Sequence, residues 1–204
     1  MSSKTPKGPD NVTRNLVIGM VALVVAVGAI FSVISNRENT SAALPSSVSQ
    51  DDGYGIVFNG DLTGVPVVDI WEDFQCPACG TFEEASGSAI QELIDAGKLK
   101  VEYRPTVFLD NNLTASNTAA GNPNSSQRAT MAFGCAVDAD AAEEFHAAVF
   151  ANQPVKEGDG YSTEDLLSFA ESSGITGDAL TTFTDCLTSE KYAGWVANSG
   201  SPAG

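Results

Sequence analysis

The chain has 204 residues, 43% of them hydrophobic, a length that suits one medium-sized domain with short appendages. Its formal net charge of −16 and isoelectric point near 4.1 argue against a nucleic-acid-binding protein, because phosphate binding requires clustered Lys and Arg side chains. The composition therefore predicts an acidic domain with a packed core from Ile56 onward.

The N-terminal region contains a long apolar segment. Residues 16–35 carry no charge and are long enough to cross a hydrocarbon core of about 30 Å as a helix. The basic residues of segment 1–15 predict a cytoplasmic N-terminus, with the rest of the chain outside the cell membrane. The alternative is a signal peptide that is cleaved at the small residues 41–43. Residues 36–52 are polar and rich in serine, and we expect a flexible linker there.

A strand–helix–strand unit follows the linker. Residues 56–58 and 65–71 are rich in β-branched and aromatic side chains and predict two strands. Apolar residues then recur at helical spacing from Cys76 until Gly97, which suits a helix end. Residues 99–104 alternate between apolar and polar side chains, which predicts a third strand.

The rest of the chain is predicted to be helical. After Phe108 we expect a loop of Asn, Thr and Ala residues, followed by helices over 125–138, 140–151, 163–173, 177–187 and 189–198. Ser162 with Asp165 resembles a capping arrangement at the start of one of these helices. A βαβ unit followed by helices predicts the α/β class, with a thioredoxin-like sheet and a helical insertion.

Cys76 and Cys79 form a C-x-x-C motif at the junction of a predicted strand and helix. Unpaired N–H groups and a partial positive charge at a helix N-terminus favour the thiolate form of a cysteine, which is the reactive form in thiol–disulfide exchange. Pro77 suits the first turn of a helix because its φ is fixed and it has no N–H. We predict that Cys76 is the exposed nucleophile and Cys79 the buried partner.

Three other interpretations of this motif were weighed: a zinc half-site, a static disulfide and a chance pattern. A tetrahedral zinc site needs four ligands, and the sequence has no second C-x-x-C and a single histidine, His146. Gly80 after Cys79 argues against haem attachment, which requires a histidine there. We therefore expect a redox pair with no metal and no cofactor.

The other two cysteines, Cys135 and Cys186, each lie within a predicted helix. We predict a structural disulfide between them, with two buried free thiols as the alternative.

Other polar and aromatic residues near the motif have structural explanations. His146 lies in an apolar helical context and is predicted to be a packing residue rather than a catalyst. Glu72 and Asp73 are predicted to be solvated loop carboxylates; if buried, they raise the thiol pKa or relay protons. Trp71 and Phe74 form either an apolar rim for substrate or part of the core, and we favour the core.

The segment from Asp69 to Gly80, DIWEDFQCPACG, resembles the active-site segment of DsbA-like disulfide oxidoreductases of the thioredoxin superfamily. The stretch FHAAVFANQP at 145–154, and Asp185-Cys186-Leu187 followed by Lys191-Tyr192, resemble the helical insertion of membrane-anchored members. The resemblance implies a thioredoxin fold over 53–204, with a helical insertion over about 112–198.

The resemblance also implies catalytic roles for Cys76 and Cys79, with Pro77 and Ala78 as supporting residues. Ala78 stands where the strongest oxidants of the family have histidine, so oxidising strength is not implied. The family has a cis-proline loop, two further strands and a last helix after the insertion, and no matching pattern follows here. We therefore expect a C-terminally truncated member.

Three functions follow from these observations. The first is an anchored enzyme that introduces disulfides into exported polypeptides with cysteine thiols and is recycled by a membrane redox partner. The second is a reductase or isomerase that uses the same cysteines. The third is a non-catalytic module that binds polypeptide without turnover.

Overall fold

The predicted strand–helix–strand unit forms a small mixed sheet. The computed structural model describes residues 42–49 and 54–199. Strands β1 (Ile56–Phe58), β2 (Val67–Glu72) and β3 (Lys100–Pro105) form a three-stranded sheet in the order β1-β3-β2. Helix α1 (Pro77–Asp95) connects β2 to β3, which run parallel, whereas β1 runs antiparallel to β3.

The sheet is buried at its centre and exposed along one edge. Val101 and Tyr103 of the central strand β3 are buried, and Ile70 of β2 pairs with Tyr103. In the described part of the chain β2 has no second neighbour, and its Val67 and Trp71 are 59% and 48% exposed. The edge of β2 therefore carries apolar side chains and unpaired backbone groups.

Six further helices make up most of the rest of the described chain. They are α2 (Phe108–Ala119), α3 (Ser125–Asp138), α4 (Ala142–Ala151), α5 (Thr163–Ser172), α6 (Asp178–Thr188) and α7 (Ala193–Ser199). The predicted helices after residue 125 are confirmed, with ends that differ by a few residues, and Ser162 and Asp165 form a capping box at the start of α5.

The loop predicted after Phe108 is wrong, because residues 108–119 form helix α2. Asn and Thr have low helix propensity in isolation, but tertiary contacts override that preference here. The side chain of Asn117 is buried and its Nδ2 donates to Gln75 Oε1 (2.8 Å) and to the carbonyl of Gly158 (2.9 Å).

The core of the helical body surrounds α3, whose residues from Ala129 to Val137 are all buried. Gly134 allows a close approach, since a Cβ there would lie 2.8 Å from the ring of Tyr192. A disulfide between Cys135 and Cys186 joins α3 to α6, with a Cα–Cα distance of 6.0 Å.

Part of the predicted linker lies on this body. Val48 is buried and pairs with Ile56 in an isolated bridge, and the N–H of Ser46 donates to Asp138 Oδ1 (3.2 Å). Residues 42–49 are therefore packed rather than extended from the domain. The predicted membrane helix over 16–35 and the cytoplasmic segment 1–15 lie outside the described residues. Within the described ranges, no helix has the length and hydrophobicity needed to span a bilayer.

Candidate active site

The C-P-x-C motif lies at the start of α1. Cys76 is the N-cap residue, with extended backbone angles (φ −77°, ψ 117°), and Pro77 begins the helix. The N–H of Cys76 donates to the carbonyl of Asp73 (2.8 Å), which fixes the turn that leads from β2 into α1. Cys76 and Cys79 are both half-buried and neither is in a disulfide. The structure thus places the motif where the strand–helix pattern predicted it.

A side-chain amide from the helical body binds this turn. Gln153 Nε2, just after α4, donates to the carbonyl of Phe74 (2.8 Å) and to the carbonyl of Cys76 (3.0 Å). A Cβ at Gly80 would lie 2.2 Å from Gln153 Oε1, so a larger residue at position 80 would displace the Gln153 amide from this position. Because these bonds are made to the backbone, Gln153 positions Cys76 without contacting its sulfur.

Asp73 holds the turn from the opposite side. Its Oδ1 accepts from the N–H of Gln75 (2.9 Å) and from Ser126 Oγ (2.6 Å), and its Oδ2 accepts from the N–H of Leu109 (3.0 Å). Burial raises the pKa of the Asp73 carboxyl, although these hydrogen bonds oppose the shift. The prediction of a solvated loop carboxylate is wrong for Asp73, which has no exposed surface.

The second sulfur of the motif, that of Cys79, lies in a more apolar environment than a cysteine in water. Cys79 packs against the hydrophobic core. Burial, with smaller contributions from the nearby Cys76 sulfur and the Glu72 carboxylate, raises the pKa of the Cys79 thiol from 9.0 to about 12. Cys79 is therefore a protonated thiol at neutral pH when the pair is reduced.

A buried polar cluster lies beneath the start of α1, and we call it the Glu72–Glu83–His146 cluster. Glu72 and His146 are 3% and 4% exposed, and His146 Nε2 contacts Glu72 Oε1. Burial and the Glu72 carboxyl within hydrogen-bonding reach together raise the pKa of Glu83 to about 7, against the opposing effect of His146. Burial lowers the pKa of His146, but the adjacent Glu72 outweighs that effect and the net shift is upward.

Two predictions meet at this cluster. Glu72 is buried, so the prediction of a solvated carboxylate is wrong for it too. The packing role predicted for His146 is confirmed, because its ring lies 4.4 Å from the ring of Tyr103 and 4.9 Å from that of Phe150.

Phe74 is in the core as predicted, at 1% exposure, whereas Trp71 is not. Trp71 stacks at the surface against Tyr54 and Arg104.

A groove of about 860 Å³ runs between α1 and α4 beside the motif. We call it the acidic groove, because four glutamates line it, two from α1 and two from α4. Its lining includes Pro77, Gly80, Glu83, Glu84, Glu143, Glu144, His146 and Gln153. It connects the surface near the cysteines with Glu83 and His146 of the cluster.

Two residues of the site, Gln153 and Glu83, were not among the predicted site residues. Gln153 lies in the FHAAVFANQP stretch, where a glutamine directly before a proline at a helix end was the available signal. Glu83 lies one helical turn after Cys79 on the same face of α1, a spacing that indicates proximity to the second sulfur. Neither signal identifies the residues contacted, because Gln153 binds the turn at Phe74 and Cys76 and Glu83 lies beside His146, all distant in sequence.

Comparisons with known proteins agree with a thioredoxin-like fold. Residues 53–201 match the family described as Thioredoxin. Among solved structures, the disulfide bond oxidoreductase DsbG from Mycobacterium tuberculosis is 30% identical, over 71% of this chain and 70% of that one, with a TM-score of 0.57. No curated protein matches the sequence significantly.

Two further structures extend the comparison. The reduced DsbA of Mycobacterium tuberculosis is 35% identical over 64% of this chain, with a TM-score of 0.53. This chain spans 62% of that DsbA, less than two thirds of its length. The thiol-disulfide oxidoreductase MdbA from Actinomyces oris is 21% identical over 80% of this chain and 76% of that one, with a TM-score of 0.60, and shares the fold.

Proposed function

The chain belongs to the thioredoxin family as a DsbA-type thiol–disulfide oxidoreductase, and on that premise we propose that it introduces disulfides into exported polypeptides through Cys76 and Cys79. The observation that carries this proposal is the position of the two sulfurs. Cys76 lies at the N-cap of α1, where the first turn of the helix presents its unpaired N–H groups, and Cys79 packs against the core one turn later.

The reaction begins from the enzyme with a Cys76–Cys79 disulfide. A substrate thiolate attacks Cys76 Sγ, the bond to Cys79 breaks, and Cys79 takes up a proton because its thiol pKa is about 12. A second substrate thiolate then attacks the substrate sulfur of the mixed disulfide, and Cys76 leaves as a thiolate. The substrate loses two electrons and gains a disulfide, and the enzyme becomes a dithiol.

The surrounding residues support this exchange. Protonated Cys79 is a poor nucleophile, so it does not attack the mixed disulfide and return the substrate unreacted. Pro77 and Ala78 are exposed between the sulfurs and leave the approach to Cys76 open. Gln153 and Asp73 hold the backbone of the turn, which keeps Cys76 at the helix start during both steps.

The location of the enzyme and its recycling are also part of the proposal. We propose that residues 16–35 anchor the domain outside the membrane, on the basis of their uncharged apolar sequence and the preceding basic residues. A membrane redox partner then accepts two electrons from the Cys76–Cys79 dithiol. Membrane fractionation with alkaline extraction, together with N-terminal sequencing of the mature chain, separates a retained anchor from a cleaved signal peptide.

The decisive experiment is the equilibrium of the Cys76–Cys79 pair with glutathione, coupled to oxidation of a reduced, thiol-containing polypeptide. An oxidant is expected to have a potential above about −200 mV and to form substrate disulfides catalytically. A potential below about −250 mV contradicts the oxidising role and supports a reductase. A folded domain that catalyses no exchange supports the non-catalytic module.

A further inference from the structure

The Glu72–Glu83–His146 cluster gathers potential ligand atoms from three separate elements. Glu72 ends β2, Glu83 lies on α1 and His146 lies on α4. One oxygen from each carboxylate and one imidazole nitrogen lie within 4.8 Å of one another. β2, α1 and α4 therefore bring two carboxylate oxygens, which are hard ligands, and one imidazole nitrogen, a borderline ligand, to one buried position.

The cluster also has unsatisfied acceptors. Glu72 Oε2 and Glu83 Oε1 are buried and accept no hydrogen bond from any donor of the described chain. Among the ion pairs of the described residues, none joins a Lys or Arg to either glutamate. A buried acceptor without a partner costs free energy, and two adjacent carboxylates repel each other when both are ionised, so that either a shared proton or a bound cation relieves the repulsion.

We propose that Glu72, Glu83 and His146 form a binding site for one divalent cation of the Zn²⁺ class. Two carboxylate oxygens and one imidazole nitrogen are a ligand set that Zn²⁺ accepts, and three protein ligands leave a fourth position for water. Hard cations such as Ca²⁺ prefer six or more oxygen ligands, and the imidazole disfavours them.

The geometry requires small adjustments. With metal–ligand bonds of about 2.0–2.2 Å, tetrahedral ligand atoms lie roughly 3.4 Å apart. The present separations, up to 4.8 Å, therefore close by a modest rotation of the Glu83 side chain, which is half-buried on the wall of the acidic groove. The same groove gives the ion a path from solvent and leaves room for the water ligand.

This site differs from the redox pair in its ligands and its chemistry. The ion neutralises two buried carboxylates and joins β2, α1 and α4 beneath the motif. Binding of Zn²⁺ is independent of the proposed oxidising role, so either proposal can fail without the other.

The wild-type protein supplies a direct test, because His146 is the sole histidine of the chain. Tag-free full-length protein is oxidised first, so that the Cys76–Cys79 disulfide keeps thiolates away from the metal. Titration with Zn²⁺ is followed by NMR of the histidine imidazole. We expect the imidazole signals to shift and saturate at one equivalent, with no shift from the same concentration of Ca²⁺. Unmoved imidazole signals overturn the proposal, and this readout needs no variant.

A matched pair of variants identifies the carboxylate ligand. Glu83→Gln is expected to weaken Zn²⁺ binding in calorimetry by at least about tenfold. Glu84→Gln removes the same charge from the neighbouring, exposed position of the same groove and is expected to leave the affinity unchanged. Equal losses in the two variants overturn the proposal, because they indicate diffuse attraction to surface charge. Circular dichroism checks that both variants are folded.

Discussion

Cys135 and Cys186 join two helices of the buried helical body, whereas Cys76 and Cys79 lie on one helix turn beside an open groove. The first pair is 2% and 8% exposed and closes a 51-residue separation in the chain. The second pair is half-buried and free in the structure, and a disulfide between its cysteines would enclose only two intervening residues. The difference shows that the surroundings of a cysteine pair decide its role. A buried disulfide between distant residues stabilises the fold, whereas an accessible pair close in sequence can undergo thiol–disulfide exchange.

The largest expected effect is the loss of turnover when either cysteine of the redox pair is replaced, and it tests the assignment of exchange to this pair. Cys76→Ser and Cys79→Ser are each expected to reduce oxidation of a reduced polypeptide to the uncatalysed rate, because each removes one sulfur of the exchanging disulfide. After mixing with a substrate disulfide, only the Cys79→Ser variant is expected to accumulate mixed disulfides, through Cys76, on non-reducing gels. Accumulation on the Cys76→Ser variant instead would reverse the assigned roles.

Removal of the helical pair is expected to affect stability and not turnover. The double variant Cys135→Ala/Cys186→Ala should lower the free energy of unfolding by about 4 kcal/mol in the chain-entropy model for a loop of this length. Urea denaturation followed by circular dichroism measures the change, and turnover per folded molecule should stay at the wild-type level. The control is Cys76→Ala/Cys79→Ala compared with oxidised wild type, in which the Cys76–Cys79 disulfide closes a short loop and its removal is expected to cost less. A greater loss in the control would contradict the division of roles.

The next effect concerns the contact between Gly80 and Gln153. Gly80→Ala should destabilise the protein by about 1–3 kcal/mol, because its Cβ would lie 2.2 Å from Gln153 Oε1 and displace the amide from its two carbonyl acceptors. In a Gln153→Ala background the clash is absent, and the same substitution should be neutral or stabilising, since alanine favours helix over glycine by about 1 kcal/mol. Equal effects of Gly80→Ala in both backgrounds, measured as a double-mutant cycle, would show that the two residues do not interact.

Local patterns in the sequence predicted the sheet, α1 and the position of Cys76, because strand alternation, proline at a helix start and glycine at a helix end act over a few residues. Gly97, for example, has a φ of +63°, in the left-handed region that favours glycine, and its N–H donates to the carbonyl of Ile94. The two cysteine pairs were separable for the same reason, since their spacing and helical context are local properties.

The errors arose where distant segments decide the outcome. Helix α2 has a sequence that suits a loop, and its buried Asn117 depends on Gln75, 42 residues away in the chain. The burial of Asp73 depends on Ser126, 53 residues away, and that of Glu72 on His146, 74 residues away. A charged residue after a strand gives no sign of being covered by helices that come later in the sequence.

The smallest expected effect concerns Asp138, whose carboxylate accepts a hydrogen bond from the N–H of Ser46 and so connects residues 42–49 to the helical body. Burial opposes ionisation of this carboxyl, but hydrogen bonds from Lys191 and Tyr192 outweigh it and hold its pKa below the ordinary 3.8. Because the folded pKa is the lower one, the ionised group contributes stability above about pH 4, and this contribution is lost as pH falls through the folded pKa.

Asp138→Asn should therefore cost about 1 kcal/mol of unfolding free energy at pH 7, a value kept small because the carboxyl is partly exposed to solvent. The difference from wild type should shrink as pH falls below 3.8 and through the lower folded pKa, because the wild-type carboxyl then takes up a proton. Denaturation curves between pH 2 and 7 measure it, with Glu171→Gln on the exposed face of α5 as a control that is expected to follow wild type. A difference that persists undiminished at pH 2 would assign the role of Asp138 to packing rather than charge. The substitution should leave turnover unaffected, because the carboxyl lies in the helical body and not at the start of α1.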